Sequence, residues 1–256
     1  MRKRNGNVLS WVSVIAGFVI CTGALFCSVR YVSEMRKSDE ANRLASEYVI
    51  PKTIFLEQTV KEADIDINDL KDFEALKNIN PDTVGFLNFQ ERELPVVGNE
   101  DPKKYLKTGW DGTRTSCGTI FTDPATNESS KNMILYGHNM KSGKMFGMLD
   151  SYLDKEYTAA HKTFRYINEN YIDTYKVAAV IRMNAEDADS LIDMDLKSDF
   201  EKLEESADET GALYQKLHTG CTYMTLATCE YSKRNGRLLV IGERISHIRR
   251  PDAKEV

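Results

Sequence analysis

The pattern of apolar and polar positions divides the chain into three parts. Residues 8–29 are almost wholly apolar, and the first charge after them is Arg30. Residues 31–80 are polar and rich in helix formers, whereas from Val84 onward short apolar runs alternate with turns. The apolar run is long enough, at about 33 Å in a helix, to cross a hydrocarbon core of about 30 Å. The pattern therefore predicts a membrane span, a helical segment and a domain rich in strands.

The apolar segment has the features of an uncleaved signal anchor. Arg2, Lys3 and Arg4 precede it, which predicts a cytoplasmic N-terminus and an extracellular remainder. A cleaved signal peptide is the alternative, but it would have a shorter apolar region and a small-residue cleavage site, whereas Tyr31-Val32-Ser33-Glu34 follows here. We expect residues 1–30 to form a cytoplasmic tail and a transmembrane signal anchor.

The next segment, residues 31–83, is predicted to be helical. Residues 34–48 indicate one helix, which Pro51 interrupts, and residues 64–76 indicate a shorter helix with apolar residues at spacings of three. Two interpretations stay open at this point. The segment is either a stalk that lifts a domain off the membrane or a set of helices packed against that domain.

Residues 84–256 are predicted to form a mainly β domain. Pro95 suggests that its run is an edge strand or a strand start, residues 145–152 favour a helix, and the acidic segment 184–217 favours a helical insert with apolar positions at Leu191, Met194, Phe200, Leu203 and Leu213. The strand-like runs are 85–89, 94–98, 118–123, 133–136, 164–167, 171–183, 221–229 and 237–245. Many short strands with one helical insert predict a closed or nearly closed β-barrel.

Charge and cysteine usage exclude several classes of function. The net charge of −5 and the absence of a basic, aromatic stripe give no reason to expect nucleic-acid binding. Cys21 and Cys27 lie in the proposed span, which leaves Cys117, Cys221 and Cys229 outside it. Since none of them has CxxC spacing or a histidine cluster nearby, we expect no zinc site and no disulfide framework, although pairing of Cys117 with Cys221 stays open.

The two C-terminal strands suggest a reactive site. The strand 221–229 delivers Cys229 at its end, and Arg237 opens the next strand, so the hairpin places a thiol and a guanidinium at one end of a sheet. A thiol with a pKa near 8.5 needs a basic neighbour to become a nucleophile at neutral pH. Arg237 would donate hydrogen bonds to a developing oxyanion, and Arg234 in the same turn is its competitor.

One histidine is placed to act as that base. His138 follows an apolar strand and Gly137, so it is presented at a strand end as Cys229 is, with the glycine permitting close backbone approach. A capping or core histidine is the alternative interpretation. We expect the remaining histidines to be solvated surface residues: His161, His218 and His247.

These residues carry a resemblance to a known family. Thr225-Leu226-Ala227-Thr228-Cys229, with Arg237 at the head of the next strand, resembles the TLxTC…R signature of sortases. The segment from Asn132 through Tyr136-Gly137-His138-Asn139-Met140 to Phe146 resembles the histidine motif of class B sortases. Leu94-Pro95-Val96-Val97 and residues 118–123 fit the same family, and the similarity covers residues 84–248.

The resemblance implies a closed, eight-stranded sortase-type β-barrel with N-terminal helices and a helical insert, and a catalytic domain over residues 84–256. It implies a cysteine transpeptidase in which Cys229 attacks the threonine carbonyl of a sorting motif near the C-terminus of a secreted protein. His138 would protonate the leaving amine and then help to deprotonate an amine of a peptidoglycan precursor, and Arg237 would stabilise the oxyanion. The implied substrate-binding residues are Asn139, Thr228 and Glu230, and no cofactor or metal is implied.

Other functions stay open from the residues alone. A papain-like hydrolase has its nucleophile before its histidine, which is the reverse of the order of His138 and Cys229 here. An exported cysteine peptidase without transfer and a membrane-anchored binding domain with an inert thiol are further alternatives. The recognised motif and the acceptor amine are not readable from the sequence.

Overall fold

The computed structural model describes residues 5–49, 66–90, 92–188, 197–230 and 235–253. Within these ranges the side chains of 5–15, 67, 102, 188, 197–199, 229 and 230 are not described. Leu191, Met194 and Arg234, which the sequence singled out, lie outside the described residues.

The strands of the described chain form one sheet that closes on itself. They are β1 (Thr83–Phe89), β2 (Arg92–Val97), β3 (Ile120–Thr122), β4 (Asn132–Tyr136), β5 (Thr163–Ile167), β6 (Tyr171–Asn184), β7 (Ala212–Leu213), β8 (Tyr223–Glu230) and β9 (Gly236–Arg249). The order is β5-β1-β2-β3-β4-β8-β9-β6-β7, and an additional β5–β6 pairing closes the ring. The two-residue strand β7 is attached outside the ring to β6, so the predicted eight-stranded barrel is confirmed.

Parallel pairing occurs at two places in the barrel, between β2 and β3 and between β4 and β8. The expectation of an edge or a strand start at Pro95 is wrong, because β2 lies between β1 and β3. Pro95 faces Phe86 of β1, and the pairing with β3 begins only at Val96. The missing N–H of the proline therefore costs the β2–β3 ladder no hydrogen bond.

The last strand is longer than its sequence suggests. β9 runs to Arg249 and pairs with β6 as far as Tyr171, so the basic segment that contains His247 is strand rather than a tail. Burial alternates along the second half of β9 because one face of the strand points outward. This outward face explains why charged residues occur there. The β6–β9 ladder is thus the longest pairing that holds the C-terminal end of the chain in the barrel.

A single helix, α1 (Asn5–Ser46), joins the apolar segment to the domain. Its segment Ala16–Ser46 is long and apolar enough to cross a membrane, a property of length and composition only. Its apolar side chains Phe18, Ile20 and Phe26 are about two-thirds exposed. Met35 and Ala45 are buried, so for this half of α1 the structure shows helix packed against the domain.

The shorter helices depart from the predicted boundaries. The single helix expected over 64–76 is wrong: a 3₁₀ turn, Ile67–Asp69, precedes a separate helix, Phe73–Ile79. The Asp72 side chain accepts a hydrogen bond from the Ala75 N–H at 3.0 Å, which caps the second helix at its start. Three apolar residues of this stretch are nevertheless buried: Leu70, Phe73 and Leu76.

The other helical predictions are met in part. Residues 145–152 form turns and a 3₁₀ helix, Leu149–Leu153, rather than an α-helix, and Lys155–Ala160 follows. The insert contains Ala185–Ala188 and Lys197–Thr210, with Phe200 and Leu203 buried against the barrel. Leu213 lies in β7, not in a helix. A 3₁₀ helix, Pro102–Leu106, lies between β2 and β3.

Candidate active site

Strand register brings three predicted site residues to one end of the barrel. Tyr136 of β4 pairs with Ala227 of β8, so His138 and Cys229 each lie two residues beyond a paired position. On the other side of β8, Cys229 pairs directly with Arg237 of β9. Because neighbouring strands lie about 4.8 Å apart, the three backbones are in adjacent rows at the same sheet end. The side chain of Cys229 is not among those described, so its backbone position is what the fold defines.

Two hydrogen bonds hold the His138 segment against β8. The Gly137 N–H donates to the Ala227 carbonyl at 3.2 Å, and the Thr228 hydroxyl donates to the Gly137 carbonyl at 2.7 Å. The two β8 residues in these bonds, Ala227 and Thr228, directly precede Cys229. Thr228 is fully buried, so its hydroxyl supports the segment before His138 from inside the protein.

A glycine is required before His138, as the sequence predicted. A Cβ atom at Gly137 would lie 2.4 Å from Ile120 Cδ1 and 2.8 Å from Phe146 Cδ2. Both distances are shorter than side-chain carbons tolerate. Because Gly137 has no side chain, its backbone can pack closely against Ile120 and Phe146 at this end of the barrel.

The imidazole of His138 is held by a backbone carbonyl. Its Nε2 lies 2.7 Å from the Leu106 carbonyl oxygen. A carbonyl only accepts hydrogen bonds, so Nε2 carries the proton and the ring is oriented from that side. Sequence analysis missed Leu106, since a backbone carbonyl at the end of a 3₁₀ helix 32 residues earlier leaves no signal in the residue type.

Arg237 is half-buried at the start of β9. It pairs with Cys229 on one side and with Met183 of β6 on the other. Its Nη1 donates to the Gly236 carbonyl at 3.1 Å, which keeps the guanidinium near the hairpin end. Directly opposed positions of an antiparallel pair are neighbours across the ladder, so the backbone of Arg237 lies beside that of Cys229.

The three residues predicted to bind substrate occupy different environments. Asn139 is buried and its amide nitrogen donates to Asp150 at 3.3 Å, while Thr228 bonds to Gly137. Glu230 is the last residue of β8 and pairs with Gly236, and its side chain is not described. Asn139 and Thr228 are thus both buried and hydrogen-bonded within the protein, and Thr228 supports the backbone before His138.

A cleft of about 710 Å³ connects His138 with the N-terminal helix. Phe26 and Val29, at the end of the predicted span, line one side of it, and His138 and Leu106 line another. Hydrogen bonds dock α1 beside this cleft, since Lys144 Nζ donates to the Met35 carbonyl at 3.0 Å. His138 therefore lies in a cleft that extends to the end of the predicted membrane span.

The remaining histidines are more constrained than their predicted surface role suggests. His161 stacks on Tyr157 with ring centroids 4.3 Å apart, and His247 stacks on Tyr171 at 4.1 Å. His247 Nδ1 also lies 2.5 Å from Asp173 Oδ1. His218 is the most exposed of the three, and its ring lies beside the Glu243 carboxylate.

One group of side chains in the described part of the chain has the composition of a metal site. His218, Cys221 and Glu243 each offer a ligand atom, and these atoms lie within 4.8 Å of one another. Cys221 and Cys117 are both free thiols, so the possible disulfide between them is not formed. Burial raises the pKa of the Cys221 thiol, and the neighbouring Glu243 carboxylate adds to the increase. The group lies at the start of β8, at the opposite end from Cys229.

Comparison with known proteins agrees with the barrel fold. The family model of the Sortase domain matches residues 90–245. Sortase B of Listeria monocytogenes is 32% identical over 183 residues, which cover 67% of this chain and 73% of the relative.

Solved structures give the same result. The structure of Clostridium perfringens sortase B is 27% identical with a TM-score of 0.60, and the match covers 68% of this chain and all of that one. A Staphylococcus aureus sortase B–substrate complex is 21% identical with a TM-score of 0.60 over 88% of this chain and 99% of that one, which shows a shared fold. The chain therefore belongs to the sortase family, within its class B members, and is a cysteine transpeptidase.

Proposed function

We propose that this sortase cleaves a sorting motif near the C-terminus of secreted proteins after its threonine and joins the new carboxyl end to a cell-wall amine. The observation that carries the proposal is the alignment of His138, Cys229 and Arg237 in adjacent rows across β4, β8 and β9. Acyl transfer needs three groups close together in space: a nucleophile, an acid–base group and a hydrogen-bond donor.

In the first half-reaction, the Cys229 thiolate attacks the threonine carbonyl carbon. The carbonyl oxygen becomes an oxyanion, which Arg237 stabilises by donating hydrogen bonds. The C–N bond then breaks, and the leaving amine takes a proton from the His138 imidazolium. The product is a thioacyl enzyme with the secreted protein bound through a thioester.

In the second half-reaction, an amine attacks the thioester carbon and gives its proton to the neutral imidazole. The C–S bond breaks, which restores the thiolate and leaves an amide bond in the product. Since Nε2–H of His138 is bonded to the Leu106 carbonyl, Nδ1 is the nitrogen that exchanges protons in both halves. The Leu106 carbonyl takes the orienting role that a carboxylate has in other acyl-transfer triads.

The predicted substrate-binding residues have supporting roles in this proposal. Thr228 positions His138 through Gly137, Asn139 braces the same loop through Asp150, and Glu230 shapes the pocket beside Cys229. A Cβ-branched residue at 228 also suits a buried strand position. The backbone N–H of Glu230 adds a second donor for the oxyanion.

The chain is proposed to be a single-pass membrane protein with a cytoplasmic N-terminus and an extracellular catalytic domain. The apolar first half of α1 and the basic residues Arg2, Lys3 and Arg4 support this orientation. A cleft that joins the end of the span to His138 suits substrates that are exported and still held at the membrane. A sortase B solved in complex with triglycine holds a peptide with a free amino group, which supports an amine as acceptor.

The proposal is tested with the full chain in detergent micelles and a panel of fluorogenic sorting-motif peptides, with and without triglycine. We expect cleavage of one motif class and, with triglycine present, a ligated product identified by mass spectrometry. Cys229→Ala should abolish both, and His138→Ala and Arg237→Ala should each lower kcat/KM about 100-fold or more.

Arg234→Ala is the matched control for Arg237→Ala, since the two arginines are three residues apart in the sequence, and it should retain activity. Loss of activity in Arg234→Ala with normal activity in Arg237→Ala would exchange their roles. Cleavage without ligation at saturating amine would favour a peptidase without transfer. An intact chain that cleaves no peptide, and whose Cys229 alkylates no faster than Cys221, would refute the proposed chemistry.

A further inference from the structure

Three side chains near the start of β8 bring candidate metal-ligand atoms close together. His218 Nδ1 and Glu243 Oε2 are 3.6 Å apart, and Cys221 Sγ completes a group whose members are within 4.8 Å of one another. Zinc bonds of about 2.0–2.3 Å to nitrogen, oxygen and sulfur put tetrahedral ligands about 3.3–3.8 Å apart. Small side-chain rotations therefore bring all three atoms to bonding distance of one ion.

Hydrogen bonds fix the turn that carries two of these ligands, His218 and Cys221. The Tyr223 hydroxyl accepts a hydrogen bond from the His218 N–H at 2.7 Å and donates one to the His218 carbonyl at 2.9 Å. Tyr223 is fully buried, so this clamp on the backbone is rigid. Gly220, with φ of +87°, supplies the left-handed residue that brings Cys221 back beside His218.

The third ligand is also oriented by its surroundings. Glu243 of β9 pairs with Tyr223 of β8, and this register carries its carboxylate to the turn. Gln215 Nε2 donates a hydrogen bond to Glu243 Oε2 at 2.8 Å. Hydrogen bonds from residues behind the ligands orient metal ligands and contribute to metal affinity.

We propose, in place of the expectation of no zinc site from cysteine spacing, that His218, Cys221 and the sequence-distant Glu243 bind a Zn²⁺ ion, with a water molecule in the fourth position. A thiolate and an imidazole together select zinc or another late transition metal over Ca²⁺ and Mg²⁺, which take oxygen ligands. The thiolate and the carboxylate balance the two positive charges of the ion. His218 is mostly exposed, with 62% of its side-chain surface accessible, which gives the metal a route of entry.

The position of the site defines what the ion does. Cys229 lies eight positions after Cys221 along an extended chain, a distance of about 26 Å, so the ion lies far from the reacting atoms. It joins the turn before β8 to the neighbouring strand β9 and thereby fastens the hairpin that carries Cys229 and Arg237. The ion therefore stabilises the fold and leaves the chemical step unchanged.

The test uses the full chain in detergent with Cys229→Ala, so that the proposed nucleophile does not bind metal. After dialysis against a chelator, Co²⁺ is added as a spectroscopic probe, and Zn²⁺ then displaces it. We expect one ion per chain, tetrahedral cobalt bands with a thiolate charge-transfer band, and a higher melting temperature with Zn²⁺. His218→Ala and Cys221→Ser should each weaken Zn²⁺ binding about 100-fold or more, and Gln215→Ala about 10-fold.

Cys117→Ser is the matched control, since Cys117 is also a free thiol outside the predicted span, and it should bind Zn²⁺ as the parent does. Equal Zn²⁺ affinity in the parent and in His218→Ala would overturn the proposal, as would a cobalt spectrum without a thiolate band. His218 is exposed, so its replacement keeps the fold, and it decides the question even if Cys221→Ser does not fold.

Discussion

The Thr228 hydroxyl donates a hydrogen bond of 2.7 Å to the carbonyl oxygen of Gly137, which lies 91 residues earlier in the chain. Thr228 immediately precedes the proposed nucleophile, and Gly137 immediately precedes the proposed acid–base histidine. One buried hydrogen bond thus joins the backbones of the two residues that must act on the same peptide bond. It continues the parallel β4–β8 ladder past its last paired residues.

Replacing Thr228 by valine should lower activity more than stability. The substitution keeps the shape but leaves the Gly137 carbonyl without its donor, at a cost of about 1–2 kcal/mol in the free energy of unfolding. Loss of the positioning bond should lower kcat/KM about 10- to 100-fold, because a small displacement of a catalytic group has large effects. Thr228→Ser retains the hydroxyl and should restore most of the activity in the peptide assay. Equal kcat/KM in the valine variant and the parent would contradict the positioning role.

Gly137→Ala should displace the His138 segment. The added Cβ would meet Ile120 and Phe146, and we expect a loss of about 1–3 kcal/mol in unfolding free energy together with lower kcat/KM. Denaturant unfolding and peptide cleavage measure the two effects. Gly23→Ala is the control, since nothing lies within 4 Å of a Cβ there, and it should leave both quantities near the parent values. A fully active Gly137→Ala enzyme would show that the close approach is not needed.

Lys71→Met should destabilise the junction between α1 and the barrel. The Lys71 ammonium is buried and donates to Glu93 Oε2 at 2.8 Å and to the Ser46 carbonyl at 2.9 Å. Its removal leaves both acceptors without this donor, at a cost of about 2–4 kcal/mol. Chemical denaturation of the full chain in detergent measures the change.

Lys77→Met is the matched control for Lys71→Met. Lys77 pairs with Glu169, and both side chains are 41% exposed, so the loss should be at most about 1 kcal/mol. Equal losses for the two methionine variants would show that burial of Lys71 does not add to the strength of its interactions.

Asp69 should make the fold less stable as the pH rises. Burial raises the pKa of the Asp69 carboxyl from 3.8 to about 6, against the opposing effect of its ion pair with Arg165. The folded state therefore holds this proton more tightly than the unfolded chain does, and ionisation costs stability progressively between pH 4 and pH 6. The free energy of unfolding of the parent relative to Asp69→Asn should fall by up to about 3 kcal/mol from pH 4 to pH 7.

Denaturant unfolding at several pH values checks this difference. If the parent instead gained stability relative to Asp69→Asn as the pH rose, the interaction with Arg165 would outweigh burial.

Much of the barrel was predictable because strand patterns are local. All eight predicted strand runs are strands in the barrel, since alternation and short apolar runs between turns report directly on the backbone of each segment. Helix limits were less predictable. Asp72 starts a new helix within 64–76, because its side chain accepts a hydrogen bond from the Ala75 N–H. Such a side-chain contact competes with a continuous helix, and the spacing of apolar residues does not report it.

The sequence by itself determined the fold class, the apolar segment before the domain and the identities of His138, Cys229 and Arg237 as candidates. Only the tertiary structure decided that His138 and Cys229 lie in adjacent rows, because that depends on the register of β4 against β8. It likewise decided that the Leu106 carbonyl orients the imidazole and that Glu243 joins His218 and Cys221. Residue types and spacings encode local conformation, whereas these contacts between distant segments arise only when the barrel closes and sets the register of its strands.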